Sequence, residues 1–169
     1  MKVVFSHGKE SGPWGSKITR LAEIARHLGY DVDSIDYREI AGPDDRVAHL
    51  VQCLENEERA ILVGSSMGGY VSLAAAEQLS VAAVFLLAPA LYMLGYNNHQ
   101  YAARNQTIEI VHGWSDDIIP PENSIRFAKE ANCALHLIPG NHRLNTSLDV
   151  VSELFEQFLQ TVGNAREVQ

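Results

Sequence analysis

The 169-residue sequence has little of what marks several large classes of protein. It contains only two cysteines, Cys53 and Cys133, which lie far apart and form no Cys-x-x-Cys pair. Such pairs are typical of zinc and redox sites, so we expect no metal and two reduced, unbonded thiols in the core. Basic residues are also scarce, with 13 Lys and Arg against 21 Asp and Glu, giving a net charge of −8. This charge repels nucleic acid and anionic membranes, so we expect neither as a partner.

Long apolar runs are missing as well. The apolar start at residues 1–5 turns polar at Ser6, His7 and Gly8, which is too short for a signal peptide or a membrane span. We therefore expect a soluble, cytoplasmic protein. Hydrophobic residues make up 46% of the chain and charged residues 20%, which disfavours disorder and is usual for a globular domain of this length.

Short apolar runs alternate along the chain with segments of helical periodicity. Runs such as Ala60-Ile61-Leu62-Val63 are apolar without interruption, which is typical of parallel strands buried on both faces. The alternation predicts an α/β three-layer sandwich, in which helices cover both faces of a mostly parallel sheet of about six strands. We predict strands at residues 2–6, 32–36, 60–64, 82–87, 107–112 and 134–138, and helices at 18–28, 43–56, 67–79, 121–131 and 146–162. A single domain is expected over residues 1–162, followed by a frayed polar tail at 163–169.

The segment Gly64-Ser65-Ser66-Met67-Gly68 lies where a buried strand ends and a helix begins. In that context a Gly-x-Ser-x-Gly pattern predicts a sharp, strained turn with no room for a Cβ two positions before or after the central serine. Ser66 is thus a candidate nucleophile, with its hydroxyl at the N-terminal end of the helix, and Ser65 is interpreted as structural. The alternative is a phosphate-binding turn, although the segment matches neither Gly-x-Gly-x-x-Gly nor a Walker loop.

A serine nucleophile needs a histidine to accept its proton. His142 follows the last predicted strand, on a loop that should emerge at the same edge of the sheet as Ser66, and is therefore the predicted base. His7 and His112 also follow strands, but each precedes a glycine, and we interpret both as braces of their loops. The other histidines lie within predicted helices, a strand or an irregular segment: His27, His49, His99 and His136.

A carboxylate must orient the histidine, and it should come from the strand between nucleophile and base. Two adjacent candidates, Asp116 and Asp117, follow the strand that ends near His112. Only one of them can face the imidazole. Asp116 is preferred, and Asp117 is expected to cap the helix that starts near Pro121.

The order Ser66, Asp116, His142 resembles that of the α/β-hydrolase superfamily, whose acid loop reads like His-Gly-x-x-Asp-x-x-Val-Pro. The resemblance covers essentially the whole chain, with Ile119 in place of the valine. It implies that Ser6-His7-Gly8-Lys9 is a loop that helps to bind an oxyanion. The backbone N–H groups of Met67 and Lys9 would then form the oxyanion hole, whereas the alternative for this loop is a simple strand-to-helix turn.

Compared with the superfamily, the sequence looks like a minimal version. It starts at what resembles the third strand of the larger fold, and it has only residues 89–105 where larger members insert a lid. Leu91, Tyr92 and Tyr96 make this connection apolar and aromatic, which suits either the wall of a substrate pocket or core packing. The resemblance implies a lidless serine esterase that cleaves small carboxylic esters or thioesters through an acyl-enzyme and needs no cofactor. Two alternatives stay open, namely a triad that acts on lactones, peptides or C–C bonds, and a non-catalytic binding protein.

Overall fold

The computed structural model describes residues 1–57, 59–102 and 106–167, and a six-stranded sheet lies at its centre. The strands run in the order β2-β1-β3-β4-β5-β6, and all five pairings are parallel, which confirms the predicted fold class. The strands are β1 (Lys2–Ser6), β2 (Asp31–Ile35), β3 (Ile61–Ser65), β4 (Ala83–Leu87), β5 (Thr107–Gly113) and β6 (Ala134–Ile138). The helices are α1 (Ser16–His27), α2 (Pro43–Leu54), α3 (Met67–Ala76), α4 (Pro121–Ala131) and α5 (Leu148–Glu167), with a 3₁₀ turn at Asn145–Ser147.

The sheet separates two apolar cores, because successive side chains of a strand point to opposite faces. In β1, Val4 packs into the core that α2, α3 and α4 cover, whereas Val3 and Phe5 pack into the core that α1 and α5 cover. The central strands β3 and β4 divide in the same way and are buried throughout apart from Ser65. The uninterrupted apolar runs of the sequence are explained by this burial on both faces.

The strand order creates a topological switch point between β1 and β3. The chain leaves β1 through α1 to reach β2 on one side, and then crosses back through α2 to reach β3 on the other side. In open parallel sheets, the loops at such a point diverge and leave a crevice at the carboxyl ends of the strands. The loop after β1 and the turn after β3 therefore meet where this fold places ligands.

The turn after β3 admits only glycine at two positions. A Cβ on Gly64 would lie 2.2 Å from the carbonyl oxygen of Gly68, and a Cβ on Gly68 would lie 2.0 Å from the carbonyl oxygen of Ser6. Both distances are far below van der Waals contact, and both neighbours are backbone atoms that cannot rotate away. The absence of space two positions on either side of Ser66 is therefore confirmed, and it lets α3 pack directly against the end of β1.

The C-terminal segment differs from its prediction, because α5 continues to Glu167 instead of ending at residue 162. A tertiary contact accounts for the difference. The hydroxyl of Tyr30 donates a hydrogen bond to the carbonyl oxygen of Leu159, and a Cβ on Gly163 would lie 3.1 Å from that hydroxyl. The start of the polar segment is thus docked on Tyr30, which its composition does not indicate; residues 168–169 lie outside the described part of the chain.

Both cysteines are free thiols, as predicted, but only Cys133 is partly buried. Cys53 lies on the solvent-facing side of α2 and is exposed, so its predicted place in the core is wrong. Among the described residues, no helix combines the length and the apolar character that a membrane span requires.

We predict that Gly68→Ala destabilises the fold, because its methyl group would overlap the backbone of Ser6. The expected loss in the free energy of unfolding is at or above about 3 kcal/mol, the upper end of ordinary overpacking. Urea denaturation would measure it. Gly12→Ala is the matched control, since the nearest atom to its added Cβ is the Arg38 Cδ at 3.8 Å. Equal unfolding midpoints for Gly68→Ala and the wild type would contradict the prediction.

Candidate active site

Ser66 occupies a strained turn between β3 and α3. Its φ of 57° and ψ of −121° are rarely adopted by residues that carry a side chain, at a cost of about 1–3 kcal/mol. Hydrogen bonds hold the backbone in place: the Ser66 N–H donates to the Leu87 carbonyl at 2.9 Å, and the Ser66 carbonyl accepts from the Ala90 N–H at 2.9 Å. The strained dihedrals that the sequence predicts are confirmed, and the end of β4 maintains them.

The structure brings the three predicted residues into one hydrogen-bonded chain. The Oγ of Ser66 lies 3.0 Å from the Nε2 of His142, and the Nδ1 of His142 lies 2.8 Å from the Oδ2 of Asp116. A carboxylate only accepts hydrogen bonds, so Nδ1 carries the hydrogen when Asp116 is ionised. The Nε2 lone pair of a neutral His142 then faces the Ser66 hydroxyl. Ser66 follows β3, Asp116 follows β5 and His142 follows β6, so the carboxyl edge of the sheet assembles the set.

Asp116 is buried and accepts hydrogen bonds at both carboxylate oxygens. Its Oδ1 accepts from the N–H groups of Ile118 and Ile119, each at 2.9 Å, while its Oδ2 faces His142. Burial by itself would raise the pKa of Asp116, but the hydrogen bonds from Ile119, His142 and Ile118 outweigh it and hold the pKa below its usual value. The carboxylate is therefore ionised at neutral pH.

Of the two adjacent carboxylates, Asp116 is the one that contacts His142. Asp117 is exposed and does not cap α4, because that helix begins at Pro121 with Pro120 as its N-cap and without any side-chain cap. The predicted capping role of Asp117 is wrong. The proline at the first helical position, Pro121, lacks one of the N–H groups that have no partner within the helix.

His112, whose sequence position predicts only a brace of its loop, is a further member of this network. Its Nε2 lies 2.9 Å from the Oδ2 of Asp116 and 3.0 Å from the carbonyl oxygen of Ile119. Both partners are acceptors, so Nε2 carries the hydrogen, and Nδ1 accepts from the hydroxyl of Ser124 at 2.7 Å. Burial lowers the pKa of His112, which keeps the ring neutral. His112 therefore braces its loop, as predicted, and also holds Asp116.

The loop after β1 lies against the serine turn. A Cβ on Gly8 would be 3.5 Å from the Cβ of Ser66, so the backbone of this loop passes beside the candidate nucleophile. Lys9, the predicted second oxyanion donor, directly follows Gly8. Met67, the predicted first donor, opens α3, and the N–H of the first helical residue has no partner within its helix.

The connection between β4 and β5 packs mainly on the protein. Leu91 is fully buried in the apolar core, so of the two roles predicted for it, pocket wall or core packing, the structure shows core packing. The Tyr92 hydroxyl donates to Glu130 at 2.9 Å, and the ring of Tyr96 packs edge-on against Tyr70 with centroids 4.7 Å apart. Both tyrosines remain partly exposed, and their contact with a substrate stays a prediction. Residues 103–105 of this connection lie outside the described chain.

Within the described ranges, no cluster of three or more His, Cys, Asp or Glu residues is arranged to hold a metal ion. A parallel sheet that carries a strained serine turn beside a histidine and a buried aspartate defines the class as a hydrolase-type α/β fold. The sequence profile of the alpha/beta hydrolase family matches residues 3–162, and the chain belongs to that family. Membership supports hydrolase activity.

Solved structures agree with this assignment. A protein of the alpha/beta hydrolase superfamily from Xanthomonas campestris pv. campestris is 30% identical, with a TM-score of 0.87 over 95% of this chain and 98% of its own. Est1E from Butyrivibrio proteoclasticus is 20% identical, with a TM-score of 0.78 over 95% of this chain and 87% of its own. The mouse alpha/beta hydrolase domain-containing protein 10 is 18% identical, with a TM-score of 0.76 over 95% of this chain and 90% of its own. No curated protein matches the sequence.

We predict that acid weakens the fold through its buried neutral histidines. Burial lowers the pKa of His7 and of His112, so the unfolded chain binds more protons than the folded protein below about pH 6.5. Their contribution to stability is complete above that pH and is lost as the pH falls. Each can remove at most about 1.4 kcal/mol of unfolding free energy per pH unit. Urea denaturation at a series of pH values measures this slope.

His112→Gln isolates one of these groups, because the amide can donate near the position of Nε2 but does not titrate. We expect its unfolding free energy to fall less steeply with acid than that of the wild type. His27→Gln, at an exposed histidine of α1, is the control and should keep the wild-type slope. If the His112→Gln slope equals that of the wild type, His112 is not the source of the acid sensitivity.

Proposed function

We propose that the protein is a serine hydrolase that cleaves small carboxylic esters or thioesters through an acyl-enzyme. One observation carries the proposal, namely the hydrogen-bonded chain from Ser66 through His142 to Asp116 at the carboxyl edge of the sheet. In this proposal Ser66 is the nucleophile, His142 the general base and Asp116 the residue that orients the base.

Attack begins with the proton of the Ser66 hydroxyl. The separation of 3.0 Å between Oγ and the Nε2 of His142 is within the range for direct proton transfer. As Oγ bonds to the carbonyl carbon of the substrate, the proton moves to Nε2 and the ring becomes cationic. The ionised carboxylate of Asp116, 2.8 Å from Nδ1, stabilises this cation.

The carbonyl oxygen of the substrate then becomes an oxyanion. The N–H groups of Met67 and Lys9 are the proposed donors, and the N-terminus of α3 supplies a favourable dipole next to Ser66. Collapse of the tetrahedral intermediate breaks the bond to the alcohol or thiol, which takes the proton from His142. Water, activated by the same histidine, then hydrolyses the acyl group from Ser66. Because only side chains and backbone groups act in these steps, no metal or organic cofactor is needed.

The β4–β5 connection supports a preference for small substrates. Where the structure describes it, this connection contains turns and irregular segments, without the helices of a lid. A small acyl group, or an acyl group presented on a surface, can therefore reach Ser66 without the opening of a lid. The two free thiols accord with the proposed cytoplasmic location, since that compartment keeps thiols reduced.

We predict that a fluorophosphonate probe labels the wild type at Ser66 and fails to label Ser66→Ala. The probe reacts with an activated serine, so labelling requires the hydrogen bond to His142 as well as the hydroxyl. Ser65→Ala is the matched control, because it removes the neighbouring hydroxyl and leaves the triad intact. Intact-protein mass spectrometry would measure the adduct. Equal labelling of wild type and Ser66→Ala would support a non-catalytic binding protein instead.

Nitrophenyl esters of increasing acyl length test the proposed substrate class. We expect kcat/KM to be highest for acetyl and butyryl esters and to fall with longer chains, without a sudden rise above the solubility limit of the substrate. Matched thioesters and a lactone belong in the same panel. A feruloyl ester is added because ferulic acid binds to the structurally similar Est1E. A rate that rises steadily with acyl length would contradict the preference for small substrates.

A further inference from the structure

Arg46 is a buried cation without a carboxylate partner in the part of the chain that the structure describes. Its side chain, in the first turns of α2, is 2% exposed, and none of the described carboxylates lies within ion-pair distance of it. Both features oppose stability, because a buried charge normally requires an opposite charge and a cation near a helix N-terminus opposes the helix dipole. The hydrogen bonds of Arg46 must therefore show what this buried arginine does.

The contacts of Arg46 lead to the loop beside Ser66. Its Nε donates to the Ile40 carbonyl at 2.6 Å, and its Nη1 lies 3.3 Å from the Gly8 carbonyl and 3.5 Å from the His7 carbonyl. The guanidinium carbon also lies 5.3 Å from the centre of the Tyr37 ring. Two of the three carbonyls thus belong to the loop that follows β1.

His7 directs a second donor to the same carbonyl. The Nε2 of His7 accepts the N–H of Tyr37 at 2.9 Å, so in the neutral ring the hydrogen is on Nδ1. Burial lowers the pKa of His7, which favours this neutral form. Nδ1 then donates to the Gly8 carbonyl at 2.7 Å. The Gly8 oxygen therefore accepts from His7 and from Arg46 together.

The Gly8 carbonyl and the Lys9 N–H belong to one peptide group. The group is planar and trans, so the N–H points opposite to the carbonyl. Arg46 and His7 hold the Gly8 oxygen at one edge of this planar group, and they thereby fix the direction of the Lys9 N–H at the opposite edge. A charged donor on the carbonyl also polarises the peptide and strengthens its N–H as a donor.

We propose that Arg46 is a positioning residue for the oxyanion hole, which acts with His7 through the Gly8 carbonyl to orient and polarise the Lys9 N–H. The inference rests on the proposed hydrolase function, since it assigns the Lys9 N–H to the oxyanion. Arg46 does not touch the substrate. It stabilises the charge that develops on the substrate oxygen in the transition state and leaves ground-state binding unchanged.

Arg46→Met tests the proposal, because it keeps the length of the side chain and removes its donors and charge. We expect kcat for an acetyl ester to fall by roughly 10- to 100-fold, less than the loss of a whole oxyanion donor, while KM changes by less than about threefold. Arg46→Lys keeps the charge but not the fork of donors, and should lie between Arg46→Met and the wild type. Arg20→Met, at an exposed arginine of α1, is the control and should keep wild-type kinetics.

Two further measurements separate this role from a purely structural one. Phenylboronic acid becomes a tetrahedral anion when the Ser66 oxygen bonds to boron and the serine proton moves to His142. Its affinity should fall by the same factor as kcat in Arg46→Met. The amide resonance of Lys9 in a ¹H–¹⁵N spectrum should shift in Arg46→Met, while amides far from the loop stay in place. If Arg46→Met does not fold, the boronate affinity and the Lys9 amide resonance are measured on Arg46→Lys instead.

The outcomes distinguish the inference from the function on which it rests. If the wild type cleaves esters and folded Arg46→Met retains its kcat or its boronate affinity, Arg46 has no positioning role and the hydrolase function stands. If KM rises and kcat is unchanged, the role is in substrate binding and the proposal is overturned. If the wild type has no hydrolase activity, the proposed function fails. In that case, a Lys9 amide resonance that is the same in Arg46→Met and the wild type would also refute the inference that Arg46 orients the Lys9 N–H.

Discussion

The close approach of α3 to the end of β1 is the constraint on which the site depends. Only hydrogen atoms fit at Gly64 and Gly68, because each Cβ position is already occupied by backbone. This contact sets Ser66 beside the loop that carries Gly8, at the switch point of the sheet. The strain at Ser66 is tolerated because the end of β4 holds its N–H and the segment after β4 holds its carbonyl group.

Two neutral histidines hold polar groups of the site in place. His7 and His112 each accept a hydrogen bond at one ring nitrogen, which leaves the other nitrogen as a donor. His112 directs its donor to Asp116, and His7 directs its donor to the Gly8 carbonyl. The same burial that keeps both rings neutral lowers their pKa values, which links the arrangement of the site to the expected loss of stability in acid.

The two halves of the proposed machinery come from opposite sides of the switch point. The acid and the base follow β5 and β6, on one side of Ser66, whereas the loop after β1 and its support from α2 lie on the other. Arg46 connects α2 to that loop, although its charge is buried and lies within ion-pair distance of none of the described carboxylates. Burial of such a charge lowers local stability, and functional sites commonly tolerate this when it keeps polar groups in a defined arrangement.

The sequence by itself determined the features that depend on local chemistry. The apolar runs located all six strands to within about two residues, and the glycines around Ser66 predicted a turn without space for side chains. The order of polar residues after successive strands also predicted that Ser66 and His142 lie at a common edge of the sheet, and the structure places them within hydrogen-bond distance.

Only the tertiary structure decided the features that depend on contacts between distant segments. The sequence favours Asp116 over the adjacent Asp117, but only the direction of the folded loop shows that Asp116 is the one that faces His142. The burial of Leu91 and the extension of α5 over Tyr30 follow from packing against other elements. The contact of Arg46 with Gly8 spans 38 positions and carries no local pattern, so it arises only when α2 folds against the loop after β1.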